Sequence, residues 1–162
     1  MHIELRKLQL VASLSHETAC YSAEIWIDGN KAFLASNRGS GGADDFHPTG
    51  TVTEDAVNAW LAANRPASRL GDSVLPHCLE FEVAALITRA TETKRLRAQC
   101  RTKLVTIEDG KVFTYALKGR ALDDVRARVL AARPTSRIVN GDETALAAAI
   151  DTLIAVDDRD SA

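Results

Sequence analysis

Hydrophobic and polar positions along the chain change period several times, and each change marks an element. From Ile3 to Leu14 they alternate as in a strand, with one slip of phase at Arg6-Lys7-Leu8 that predicts a β-bulge. Ser15-His16-Glu17-Thr18 is a polar break. Alternation resumes from Ala19 to Ile27, with Tyr21, Ala23, Ile25 and Ile27 on one face. Asp28-Gly29-Asn30 then predicts a tight turn and Lys31 to Ser36 a third strand, completing a meander.

Further on the period becomes helical. Thr51-Val52-Thr53-Glu54 predicts a capping box, with the Thr51 hydroxyl and the Glu54 carboxylate on free amides. Ala56, Val57, Trp60, Leu61 and Ala63 follow as an apolar stripe, and Arg65-Pro66 ends the helix. Ala67 to Pro76 is a connector. A long helix is expected from about His77 to about Arg101, with Leu79, Val83, Leu86, Ile87 and Ala90 inward. Lys103 to Ile107 and Val112 to Leu117 form a hairpin about Asp109-Gly110. Leu122 to Ala132 is a third helix, Arg137 to Asn140 a short strand, and Glu143 to Ala155 a last helix. The fold class is α+β: an antiparallel sheet of meander and hairpin strands with four helices. One domain is expected over 1–156, with Trp60, Leu79, Leu86 and Val125 in its core and a frayed acidic tail over 157–162.

Asp55 to Arg69 aligns without a gap with Asp123 to Arg137, each following a hairpin that carries a Gly, a Lys and a Phe. Two related hairpin-helix units are one reading; convergence of alanine-rich helices is the other. The first unit has about a dozen more residues between hairpin and helix than the second. These residues are Asn37 to Gly50, a run rich in glycine and charge with a pattern of neither helix nor strand.

Composition narrows the function classes. Lys plus Arg (20) nearly balance Asp plus Glu (22), so net charge alone points to neither a nucleic acid nor a membrane. Cys20, Cys78 and Cys100 have no CxxC spacing, which argues against a disulfide framework and a structural zinc site. No apolar run suggests a signal peptide or membrane span, so the expectation is a cytoplasmic protein without a cofactor.

The candidate chemistry lies in two places. In the glycine run, Arg38, Gly39, Gly41, Gly42, Asp44, Asp45, Phe46 and His47 predict a loop that contacts a protein partner, or else a turn whose side chains bond to its own backbone. Phosphate binding there is opposed by Asp44 and Asp45. A metal site from Asp44, Asp45 and His47, serving a small hydrolase, is a further alternative. Lys94, Arg95, Arg97, Arg101 and Lys103 at the end of the long helix are the nucleic-acid alternative, set against cations that merely favour a helix C-terminus. No HExxH, Walker or nucleophile-elbow motif supports an enzyme.

Ser15-x-Glu17-Thr18, Asp28-Gly29-x-Lys31 and Asn37-x-Gly39-x-Gly41-Gly42 resemble a pattern in small uncharacterised proteins of bacteriophages and mobile elements. The stretch Cys100-x-x-Lys103 fits it loosely. The resemblance covers less than half of the chain and assigns no residue a role. It implies an accessory protein, such as one that blocks a host defence component, and makes non-enzymatic protein binding the leading expectation.

Overall fold

A computed structural model describes residues 1–70 and 73–160. It is α+β, with antiparallel sheets of four and three strands, a small two-stranded hairpin and four α-helices among the described residues. The chain forms two compact units, Met1–Ile87 and Thr88–Ala162.

The N-terminal unit is built on a four-stranded meander: β1 (Ile3–Leu10), β2 (Cys20–Ile27), β3 (Asn30–Arg38) and β4 (Asp45–Pro48), in spatial order β1-β2-β3-β4. Tyr21, Ala23, Ile25 and Ile27 all face the core, as the alternation predicts. The β2–β3 turn puts Asp28 at φ 49° and Gly29 at φ 80°, the left-handed pair of a type I′ hairpin. The predicted bulge lies where β1 slips against β2 between Arg6 and Gln9, with Lys7 at φ 52°. It aims Lys7 Nζ at Glu24 Oε1, 3.0 Å away. Lys31 reaches the same oxygen at 2.8 Å, and Trp26 Nε1 donates to Oε2 at 3.1 Å.

Helix α1 (Glu54–Asn64) covers the sheet with Val57 and Leu61, both fully buried. Such burial contributes about 1.5–3 kcal/mol per side chain. The cap differs from the expected box. Thr53, not Thr51, is the N-cap and accepts from Ala56 N at 3.3 Å, and because Glu54 is already helical no reciprocal bond forms. Arg65 ends α1 in extended conformation before Pro66, as proline's steric demand requires. The expected connector contains a short hairpin, β5 (Ser68–Leu70) with β6 (Ser73–Leu75); Gly71 and Asp72 lie outside the described residues.

Helix α2 (Leu79–Cys100) begins in the first unit and ends in the second. Leu79, Val83 and Ile87 are buried in the N-terminal core, with Trp60 and Leu86 half-buried against it. Ala90, expected inside, is exposed, because the apolar stripe stops at Ile87 and restarts only at Leu96, in the other core.

In the C-terminal unit, β7 (Lys103–Glu108) lies between β8 (Lys111–Ala116) and β9 (Arg137–Ile138). Helix α3 (Leu122–Ala132) packs Val125 and Val129 on Leu104 on one face of this sheet. The end of α2 and helix α4 (Glu143–Asp160) pack Leu96, Leu146 and Ile150 on Val105 on the other. Helices on both faces follow from β7 being apolar on both, Leu104 to one side and Val105 to the other. Asn140 secures the crossover: its Oδ1 accepts from Val105 N at 2.8 Å, and its Nδ2 donates to Cys100 O and Lys103 O at 2.9 and 2.8 Å. The expected frayed tail is helical as far as Asp160, since the segment has no Gly or Pro to stop it; Ser161 and Ala162 lie outside the described residues.

The hydrogen bonds from Lys31, Lys7 and Trp26 hold the Glu24 carboxyl down at about 2. A depressed carboxylate stabilises the fold above its unfolded value, near 4.5, and that stabilisation is lost as pH falls toward 2. In urea unfolding between pH 5 and 2, windows set by those two values, Glu24→Gln should show a shallower loss of stability than the wild type.

Candidate functional site

The glycine run is tied down from within. Asn37, at the end of β3, is 7% exposed and uses both ends of its amide. Its Oδ1 accepts from Thr18 Oγ1 at 2.9 Å and Gly39 N at 2.8 Å. Its Nδ2 donates to Gly42 O at 2.9 Å and Asp44 Oδ1 at 2.8 Å. The other Asp44 oxygen accepts from Tyr21 Oη at 2.6 Å. Burial, then the bond to Asp44 and its charge, then the charge of Glu80, push the Tyr21 hydroxyl well above the usual tyrosine range. Gly39 O accepts from His16 N and Glu17 N, and a Cβ on Gly39 would lie 2.2 Å from Leu14 O.

These contacts divide the eight predicted contact residues. Gly39 and Asp44 are structural. Gly41 stands at φ 84° with its amide 3.3 Å from Thr18 Oγ1. Asp45, Phe46 and His47 are not irregular: they form β4 and pair with Ser36, Ala35 and Leu34. Phe46 is half-buried, edge-on to Phe33 at 6.4 Å. Arg38, Gly42, Asp45 and His47 remain exposed. The residues of the metal alternative, Asp44, Asp45 and His47, are not brought together as a group. Both Asp44 oxygens are engaged by Asn37 and Tyr21, and among the described residues no three His, Cys, Asp or Glu side chains are grouped to hold an ion.

The motif residues quoted for the resemblance also have structural partners. Ser15 Oγ accepts from Cys20 N at 2.9 Å, Thr18 holds Asn37, and Lys31 holds Glu24.

A second cluster had no sequence signal, because its members lie on separate segments. His77 Nδ1 is 2.7 Å from Ser68 Oγ and its Nε2 is 2.8 Å from Glu82 Oε2, while Arg65 pairs with the other Glu82 oxygen at 3.2 Å. The order hydroxyl–ring–carboxylate resembles an activated serine. The ring is reversed, however, since such a site presents Nε2 to the hydroxyl. With Arg65 sharing the carboxylate, the cluster ties the end of α1, β5 and the start of α2 together.

The electrostatics divide unevenly. The N-terminal unit holds six of the 20 basic residues and eleven of the 22 acidic ones, a net charge of −5; the C-terminal unit holds fourteen and eleven, a net of +3. Of the five basic residues predicted as a nucleic-acid footprint, Lys94, Arg97 and Arg101 line one hollow of about 550 Å3 with Ala90, Thr93 and Ala98. Arg95 turns away to Glu92, and Lys103 is half-buried on β7. Arg97 also reaches Glu143, at 2.7 Å, through an exposed pair of little energetic weight.

On the α3 face, Glu108 is buried and accepts from Thr106 Oγ1 and, at 2.7 Å, from Tyr115 Oη, with Arg133 3.1 Å from its other oxygen. Burial alone would raise this carboxyl; the two hydroxyls and the Arg133 guanidinium outweigh it and hold the group below the usual carboxylate range. Tyr115 is pushed up by burial and by Glu108. No family model, curated protein or solved structure matches the chain.

Asp44→Ala should lower stability by about 1–3 kcal/mol, the cost of leaving a buried donor unpaired. Gly39→Ala should lower it further, since neither its φ of 81° nor Leu14 O leaves room for a methyl group. Arg38→Ala should leave it within about 0.5 kcal/mol. Thermal unfolding of the three variants checks the division between structural and exposed loop residues.

Proposed function

We propose that the protein is a non-enzymatic nucleic-acid-binding accessory protein that contacts the phosphate backbone through the C-terminal half of α2. The observation that carries this reading is the hollow on α2. Lys94, Arg97 and Arg101 stand at helical spacing on one exposed face, and among the described residues no carboxylate lines the hollow. Ala90 and Ala98 keep it shallow enough for a phosphate backbone to approach. The surrounding unit carries the positive charge of the molecule, so encounter with a polyanion is favoured at long range. Phosphate contacts of this kind supply affinity without sequence preference.

Binding of a fluorescent oligonucleotide should weaken steeply as salt rises. Lys94→Glu with Arg101→Glu should cut affinity at least tenfold at low salt and flatten the salt dependence by about two counterions. Absence of binding to single- or double-stranded DNA or RNA at low ionic strength would refute the reading.

Contact with a protein partner is the second reading, and its support has moved from the glycine run to its neighbour. A 3-10 turn over Ala12–Leu14 packs against Gly39 and leaves Leu10, Val11 and Leu14 between 41% and 52% exposed. Exposed aliphatic side chains at Leu10, Val11 and Leu14 are of the kind that serve protein contacts. Blockade of a host defence component is the form that the resemblance suggests. Leu14→Asp should abolish capture of such a partner from host extract and leave the melting temperature unchanged; retained capture counts against this patch.

A further inference from the structure

The cleft between β8 and α3 has a volume of about 690 Å3, within the range of small-molecule sites. Its floor is apolar, formed by Ala116, Val125, Val129 and Ala132, and its rim carries Lys118, Arg120, Arg128 and Arg133. Among the described residues no carboxylate lines it. The ion pairs of this unit among the described residues are Arg89–Asp151, Arg95–Glu92, Arg97–Glu143, Arg133–Glu108 and Arg137–Asp142. Lys118, Arg120 and Arg128 therefore have no ion-pair partner among the described residues.

Two features indicate a built site as opposed to a merely solvated face. Arg133 is held by Glu108 and by the Tyr115 hydroxyl, which fixes one wall of the cleft. Lys118 stands at φ 49°, a conformation that glycine or asparagine would adopt more easily, in a turn closed by Arg120 N donating to Leu117 O at 3.0 Å. That turn holds Lys118 and Arg120 at the mouth of the cleft.

The two hairpin-helix units share a scaffold and differ in what covers it. The aligned positions Val57/Val125 and Leu61/Val129 are buried in both, and Arg65 and Arg133 close their helices with the same backbone bond, to Leu61 O and Val129 O. The phenylalanines differ. Phe33 is 1% exposed, with Phe46 of β4 against it. Phe113 is 40% exposed, because β8 is an edge strand and no counterpart of β4 covers it. It lies two positions before Tyr115 on the same face of β8. A cleft with an apolar floor, the Tyr115 ring in its lining and three rim cations without ion-pair partners among the described residues suits an aromatic group joined to an anion.

We propose that the β8–α3 cleft binds a nucleoside phosphate, with Lys118, Arg120 and Arg128 on the phosphate and the base on the apolar floor beside Tyr115. This goes beyond phosphate-backbone contact by α2, since the cleft lies on the opposite face of the three-stranded sheet and takes a single phosphorylated group.

The test is calorimetric titration of the full chain at low salt with adenosine monophosphate, with adenosine, and with an oligonucleotide bearing either a 5′-phosphate or a 5′-hydroxyl. Adenosine monophosphate should bind at least tenfold more tightly than adenosine, the weight of one or more charge-assisted bonds. Arg128→Gln with Lys118→Gln should erase that difference, and Lys94→Glu with Arg101→Glu should preserve it. Preference for the 5′-phosphorylated strand would identify a strand end as the ligand; equal strand affinities with the mononucleotide still bound would identify the free nucleotide. The proposal is overturned if adenosine monophosphate does not bind at millimolar concentration, or if its affinity survives loss of Lys118 and Arg128. Backbone binding by α2 would stand in either case.

Discussion

The N-terminal unit depends on one buried amide. Asn37 satisfies both ends of its side chain within a run that would otherwise be a loose chain of glycines, and so fixes Thr18, Gly39, Gly42 and Asp44 together. A buried primary amide is costly unless all of its groups are engaged, so the arrangement specifies one geometry of the loop. With the loop closed, Asp45–Pro48 lies alongside β3 and Phe46 meets Phe33. The glycine run therefore extends the sheet and completes the core.

The same view explains what the two units share and where they part. Each has a hairpin with an Asp-Gly turn and an eleven-residue helix that buries two aliphatic side chains and stops at Arg-Pro. The first then adds a fourth strand, which covers its phenylalanine. The second leaves its edge strand open beside a cleft rimmed with cations. The extra residues of the first unit thus direct attention to the second, where the equivalent surface is uncovered and charged.

Electrostatics sharpen this contrast. Near-neutral overall charge conceals an acidic N-terminal and a basic C-terminal unit. In the first, carboxylates such as Glu24, Asp44 and Glu82 are engaged in holding strands and helix ends together. In the second, several cations have no such duty, and a charge without a structural partner is available to a ligand.

Much of the fold was legible in the chain itself. Alternation placed the core face of β2, the phase slip placed the bulge at Lys7, Asp-Gly placed both hairpin turns, and Arg-Pro placed the ends of α1 and α3. Each of these is local: period, backbone permissiveness at positive φ, and the steric demand of proline act within a few residues. The sequence also brought forward Lys94, Arg97 and Arg101 by helical spacing. It left the glycine run open between a contact loop and a self-bonded turn, because the partners of Asn37 and Asp44 come from Thr18 and Tyr21, about twenty positions away. It gave no sign of the Ser68–His77–Glu82 tie or of the β8–α3 cleft, whose residues come from separate segments. Which polar groups are consumed by the fold and which stay free is decided by long-range pairing, and only the tertiary structure carries that information.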